Sequence, residues 1–220
     1  FYQMALTFNK RDCLSVVKQY GIKTATSYLL NEGDQINTKK IISKVGLPCF
    51  VKPNKAGSSF GVSKVKKAEE MIPAIEKAFK EDSEILIESF LDGPEINVSI
   101  LEFEGKLKVL PMTEIVSENE FFDYEAKYLG KSEEITPARI SVENHKKLEK
   151  VATQVYQILN MRGFSRAEYI LMNNEFYFLE INSVPGLTAA SLIPQQAAAA
   201  GINLPTLFHN AIEMALNKQL

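Results

Sequence analysis

Residues 164–186, FSRAEYILMNNEFYFLEINSVPG, leave the chain little choice of local structure. Two runs of aromatic and aliphatic residues are separated by Asn173–Asn174 and followed by Pro-Gly, the pattern of an antiparallel hairpin. Set into these apolar runs are Arg166, Glu168, Glu180 and Asn182. Side chains alternate along a strand, so 166 and 168 share a face, as do 180 and 182. Which faces coincide depends on the turn. A two-residue Asn173–Asn174 turn pairs 168 with 179 and sends the glutamates to opposite sides. A three-residue turn through Glu175 pairs 168 with 180 and 166 with 182. It also gathers Tyr169, Leu171, Tyr177, Leu179 and Ile181 on one apolar face, and it is the expected register.

Two carboxylates and an amide oxygen then meet at one end of a sheet. A hard cation such as Mg²⁺ takes oxygen ligands at about 2.0–2.1 Å and fills its other positions with water and phosphate oxygens. A solvated strand end with an Arg–Glu pair is the plainer alternative. Against it, LEIN embeds its acid and amide in an apolar strand, where an unpaired charge is costly. A second stretch, VKPNKAGSSFGVSKV (51–65), supplies the opposite charge. Gly57 and Gly61 let its backbone turn sharply, Ser58 and Ser59 add hydroxyls, and Lys52 places an ammonium at the mouth. Successive N–H groups in such a loop form an anion nest. The Walker spacing is absent, and alone such a turn is common on surfaces. Together with the acidic hairpin it makes the two jaws of a nucleotide triphosphate site.

The remaining pattern is α+β. Asn9 caps a helix over 10–20, and Thr38 caps a shorter one ended by Gly46. Strands over Cys49–Pro53 and Gly61–Val65 flank the glycine loop. Met71, Ile72, Ile75, Ala78 and Phe79 have helical spacing, and EILIESFL (84–91) is a strand buried on both faces. Beyond Gly93–Pro94, strands over 95–103 and 106–116 meet at EGK. Residues 117–138 read as a long polar loop, a kind that is usually functional or disordered. Ser141 caps a further helix, and LPTLFHNAIEMALN closes the chain as another. Two lobes are expected, 1–88 and 89–220, with the ligand cleft between them.

Composition excludes several classes. Acid and base nearly cancel, at a net charge of −2, so no broad basic field points to nucleic acid. No apolar run approaches the roughly 18 residues of a membrane span. With 45% hydrophobic residues among 220, there is enough for a sizeable core. Cys13 and Cys49 sit among apolar neighbours without ligand spacing and are expected to be buried, reduced thiols of a cytoplasmic protein. His145 and His209 lie in helical patterns and are assigned to surface or packing.

The segments FVKPNKAGSSFGVSKV, ILIESFLDGPEINV, FFDYEAKY, ITPARI and LEINSVPGLTAASLIP, in this order, resemble the central and C-terminal domains of the D-alanine–D-alanine ligase family, ATP-grasp enzymes of bacterial peptidoglycan synthesis. The resemblance implies an ATP-grasp fold, ATP and two Mg²⁺ ions, with Mn²⁺ as an alternative. By that resemblance Lys10 and Lys52 touch ATP phosphates, and Gly57, Ser58 and Ser59 fold over them as a lid. Glu88, Ser89, Phe90 and Leu91 frame adenine, with Phe90 against the ring, and Glu95 takes the ribose hydroxyls. Lys127 reaches the γ-phosphate, and Glu168, Glu180 and Asn182 hold the metals. Arg166 stabilises the transferring phosphate with help from the Gly186 amide, while Tyr128 and Ser191 position the second D-alanine. One departure is that the usual R-x-D reads RAE, putting Glu168 in place of an aspartate. The other is the family's N-terminal domain, which this sequence does not show. The chain is therefore expected to be a fragment that ligates poorly by itself, with that domain and D-alanine as partners and a homodimer allowed. A nucleotide-binding module, or a ligase with a different second substrate, is the alternative.

Overall fold

The computed structural model describes residues 1–117 and 132–217. Expectations for 118–131, including Lys127 and Tyr128, lie outside the described residues.

Helices α1 (Tyr2–Phe8) and α2 (Lys10–Gln19) open the chain. Asn9 caps α2 as expected, its side-chain oxygen accepting from the Asp12 N–H at 3.1 Å. A four-stranded antiparallel sheet follows, in the order β1 (Ser27–Asn31), β4 (Glu84–Ser89), β2 (Cys49–Pro53), β3 (Ser63–Val65). Helices α3 (Thr38–Val45) and α4 (Met71–Phe79) cover it, packing Ile41, Met71 and Ile75 against Val51, Ile85 and Ile87. The cap of α3 is Asn37 rather than Thr38. Asn37 has the extended backbone of a cap, and its amide oxygen accepts the Lys40 N–H at 3.0 Å.

The larger sheet runs β10 (Glu175–Asn182), β9 (Ser165–Met172), β5 (Glu95–Phe103), β7 (Thr113–Ser117), β8 (Ser132–Ile135), with β6 (Lys106–Val109) also paired to β5. The expected strand over 106–116 is thus two strands. Pro111 has no N–H for the ladder, and pairing stops on either side of it. β8 lies inside the stretch expected to be loop. Helices α2 and α5 (Val142–Ile158) pack on one face of this sheet, burying Leu14, Val17, Leu148 and Val155 against Val98, Tyr169 and Phe178. The last two rings meet edge to face, centroids 5.7 Å apart. Helices α6 (Leu192–Ala199) and α7 (Leu204–Asn217) add Ile193, Ala197 and Leu207 to a separate cluster around Leu101 and Leu110. So α2, which precedes both sheets in sequence, belongs to the core of the second. Each sheet buries one cysteine. Burial pushes the Cys49 thiol up to about 11; burial, with the Glu180 charge second, takes Cys13 to about 12.

The β9–β10 hairpin reaches the expected pairing by another route. Its turn is the two-residue Asn173–Asn174 form, with φ of 53° and 57°, so Phe176 pairs Leu171 and Phe178 pairs Tyr169. A bulge at Leu179 then shifts the ladder by one residue, and beyond it Glu180 pairs Glu168 and Asn182 pairs Arg166. Before the bulge the faces are therefore exchanged. Phe176 and Phe178 fill the main core, while Tyr177 and Leu179, expected there, pack with Ile170 on the opposite side.

Between the sheets the chain passes Gly93 in near contact with β9. A Cβ there would stand 2.0 Å from the Leu171 carbonyl oxygen, and Leu171 N–H bonds to Pro94 O at 3.0 Å. Backbone cannot yield as a flexible side chain can. Gly93→Ala should lose about 3 kcal/mol, the upper end of overpacking costs. Urea unfolding checks this, and a change under about 0.5 kcal/mol, the usual surface range, would contradict the contact.

Candidate active site

A cavity of about 330 Å³ opens between the two sheets. Lys52, Gly57, Ser58, Ser59 and Glu88 line it from the smaller sheet; Glu95, Glu168 and Glu180 line it from the larger, and Lys10 comes from α2. Ser89, Phe90 and Leu91 cross between them. A second cavity of about 780 Å³ adjoins it, sharing Lys10, Gly57, Ser58 and Glu180, and adds Arg166, Asn182, Gly186 and Ser191. Every described residue that the resemblance assigns to the site falls in one of these two spaces, whereas Gly61 of the glycine loop lines neither.

The crossing segment is partly spent on the protein. The Ser89 N–H donates to Thr26 O and the Phe90 N–H to Pro48 O, so neither is available to a base. The Phe90 ring lies 6.1 Å from the Phe50 ring, with the Lys64 ammonium 4.1 Å from its centroid. The glycine loop also differs from expectation. Gly57 has an ordinary φ; the left-handed residues are Ser58 (50°), Ser59 (58°) and Gly61 (71°). Two consecutive left-handed serines are an uncommon, strained arrangement, and such strain clusters at functional sites.

Lys52 and Glu88 form an ion pair with both side chains mostly buried, at 14% and 6% exposure. Burial pulls the Lys52 pKa down, but the charge and hydrogen bond of Glu88, and then Glu180 and Glu168, outweigh it and raise the net value. Lys52 is therefore a cation throughout the neutral range. Removing one partner strands the other charge. Lys52→Met should cost about 3 kcal/mol, and Lys52→Met with Glu88→Gln should recover much of it. Thermal melts of the three forms check this; equal stability of single and double variants would count against the pair.

Lys10 stands at the start of α2. Its ammonium donates to Ala56 O at 2.8 Å and lies 3.6 Å from Glu180 Oε2, bridging the loop and β10. Below it, Asn54 and Glu84 tie α2 to the smaller sheet. Partial burial pushes the Glu84 carboxyl up, but the Asn54 hydrogen bond, Lys55 and Arg11 outweigh it and hold its pKa below the usual range. A depressed folded pKa contributes stability that is present above the unfolded value, about 4.3, and is lost as pH falls through the folded one. Glu84→Gln should flatten the stability curve between about pH 5 and pH 3. Denaturant midpoints across that window test it, and an unchanged slope argues against the linkage.

On the acidic wall, Glu168 and Glu180 face each other across β9 and β10, with Arg166 and Asn182 as the next pair on that face. Arg166 Nη2 donates to Glu168 Oε1 at 2.8 Å. Arg166 Nε and Asn182 Nδ2 are buried with no hydrogen-bond partner among the described residues. That leaves both side chains with unused capacity beside the two carboxylates. An oxygen-only donor set of two glutamates and an amide suits a hard divalent cation. Among the described residues no three His, Cys, Asp or Glu side chains gather as for a metal ion. Near the strand end, a Cβ on Gly186 would lie 2.8 Å from Ser191 Oγ, which is within 2.9 Å of Thr188 Oγ1. Sequence reasoning assigned no role to Asn54, Thr188, Glu134 or the Glu88 carboxylate. Glu134 lines the second cavity and accepts from Gln195 Nε2 at 2.7 Å. Its strand carries no periodic signal, but Asn54, in VKPN just before the loop, was open to notice.

The family described as D-ala D-ala ligase C-terminus matches residues 16–213. D-alanine–D-alanine ligase of Flavobacterium johnsoniae is 66% identical over 216 residues, covering 98% of this chain and 67% of the relative. That of Christiangramia forsetii is 58% identical over 219 residues, 100% of this chain and 67% of the relative. The chain thus spans about two thirds of the length of these relatives. Among solved structures, D-alanine–D-alanine ligase from Bacillus anthracis complexed with ATP superposes with a TM-score of 0.84 at 29% identity, over 98% of this chain and 68% of that one. VanG D-Ala:D-Ser ligase from Enterococcus faecalis gives 0.82 at 30%, over 96% and 62%. Its two antiparallel sheets are the ATP-grasp fold of these neighbours, and the chain belongs to the D-alanine–D-alanine ligase family.

Proposed function

We infer that this chain binds Mg·ATP in the cleft and carries the phosphoryl-transfer and ligation site of a D-alanine–D-alanine ligase. The observation behind this reading is the single cavity in which Lys10, Lys52 and the serine turn oppose Glu168 and Glu180. The carboxylate of one D-alanine attacks the γ-phosphorus of ATP, giving D-alanyl phosphate and ADP. The amine of a second D-alanine then attacks the carbonyl carbon, the C–O bond to phosphate breaks, and the dipeptide, phosphate and a proton leave.

The chain's own groups divide this work. Lys52 and Lys10 hold phosphate charge, and the Ser58–Ser59 turn closes over it. Leu91 and Phe90 take the base and Glu95 the ribose. Arg166 faces the phosphate in transfer, with the Gly186 amide beside it, and Ser191 holds the second amino acid. Glu168, Glu180 and Asn182 would hold Mg²⁺, which when bound neutralises phosphate oxygens. Fixed charges aimed at developing charge are usually the largest catalytic term. Lys127 and Tyr128 stand outside the described residues and carry no step here. The two lobes meet at the 88–95 crossing. The peptidoglycan pathway and the cytoplasm follow by family; no helix among the described residues is long and apolar enough to cross a membrane. The likeness to a D-Ala:D-Ser ligase favours one second reading, in which the attacking amine is D-serine's.

Calorimetric titration with Mg·ATP tests the nucleotide site. Saturable binding is expected, weakened about tenfold or more by Glu180→Gln. Undiminished affinity in that variant would remove the metal assignment. Phosphate release with D-alanine alone, and with D-serine added, separates the two second substrates by the dipeptide formed.

A further inference from the structure

We propose that Asn54 is a positioning residue that fixes Lys10 against the glycine–serine turn, so that its ammonium is held ready for a nucleotide phosphate. This rests on the nucleotide reading above and deepens it. Asn54 immediately follows β2, at the entrance to the glycine–serine turn, and is 1% exposed. Its carboxamide is spent on the start of α2 and on β4. Oδ1 accepts the Arg11 N–H at 2.8 Å, while Nδ2 donates to Asn9 Oδ1 at 2.9 Å and to Glu84 Oε2 at 2.7 Å. Its backbone carbonyl accepts the Lys10 N–H at 3.3 Å, and its own N–H donates to Glu84 O at 2.9 Å.

The first N–H groups of a helix have no partner within it. Here those of Lys10 and Arg11 both end on Asn54. The helix they open is packed in the core of the larger sheet through Cys13, Leu14 and Val17, whereas Asn54 and Glu84 belong to the smaller sheet's strands and their ends. Asn54 is therefore where an element of one lobe is fastened to the other. Two residues further on, Ala56 O takes the Lys10 ammonium at 2.8 Å. Backbone and head group of Lys10 are thus both held by residues 54–56. A lysine otherwise samples many rotamers, and fixing it beforehand removes a cost that ligand binding would have to meet. Asparagine suits the position because it donates and accepts at once. Aspartate would set a second carboxylate beside Glu84, and alanine would leave the Arg11 N–H without a partner.

A double-mutant cycle tests this by Mg·ATP affinity, with melting temperature recorded for each variant. Asn54→Ala should weaken binding about tenfold in the unsubstituted background and under about twofold in Lys10→Met, because its effect runs through Lys10. Asn9→Ser keeps a capping oxygen but breaks the link to Asn54. It should show the same Lys10-dependent loss, and it decides the matter if Asn54→Ala does not fold. Equal losses with and without Lys10, or no loss at all, overturn the proposal. Failure of the unsubstituted chain to bind Mg·ATP overturns the nucleotide reading, and this assignment with it.

Discussion

One inserted residue in β10 decides which way Glu180 faces. From the Asn173–Asn174 turn to Phe178 the ladder places odd residues of β10 on the cleft side, and continued unbroken it would send Glu180 into the apolar core. There a carboxylate without a partner would be prohibitively costly to bury. The bulge at Leu179 reverses the phase, and Glu180 arrives opposite Glu168, with Asn182 beside Arg166. Glu180 and Asn182 both owe their place on the cleft face to that shift. Strand bulges recur beside active sites because they re-aim side chains without altering the fold around them.

Once acids are turned inward, the protein must neutralise them. It does so locally and by sign: Glu88 meets Lys52, Glu168 meets Arg166, and Glu180 lies within 3.6 Å of Lys10. These cations are groups that a polyphosphate would require, and Glu168 and Glu180 are groups that a divalent cation would require. The same charges can thus serve the protein's own stability and a Mg·nucleotide, exchanging partners rather than acquiring new ones. Such a cleft holds both signs at close range.

Much of this was legible in the sequence. Helix α2 with its Asn9 cap, strand β2 and the Ser141 cap of α5 follow from capping and periodicity, and the structure has them. The pairing of 168 with 180 was also anticipated, though for an incorrect reason. Phe176, Tyr177, Phe178 and Leu179 are all apolar, so the hydrophobic pattern cannot say which of them faces the core, and a bulge leaves no compositional trace. The turn chemistry did carry information, since Asn-Asn favours left-handed backbone at both positions. The serine turn misled in the opposite sense: glycines marked it, yet Ser58 and Ser59 take the strained conformations. Contacts joining distant segments, such as Asn54 with Asn9 and Lys52 with Glu88, depend on tertiary placement that no local pattern records.

The two buried thiols have a practical corollary. Each sheet encloses one sulfhydryl, Cys13 under the larger and Cys49 within the smaller, and both are held far from their reactive thiolate form. An alkylating reagent therefore encounters either sulfur chiefly when its surrounding layer loosens. Native labelling kinetics, resolved by peptide, would time the breathing of each half separately, without any introduced probe.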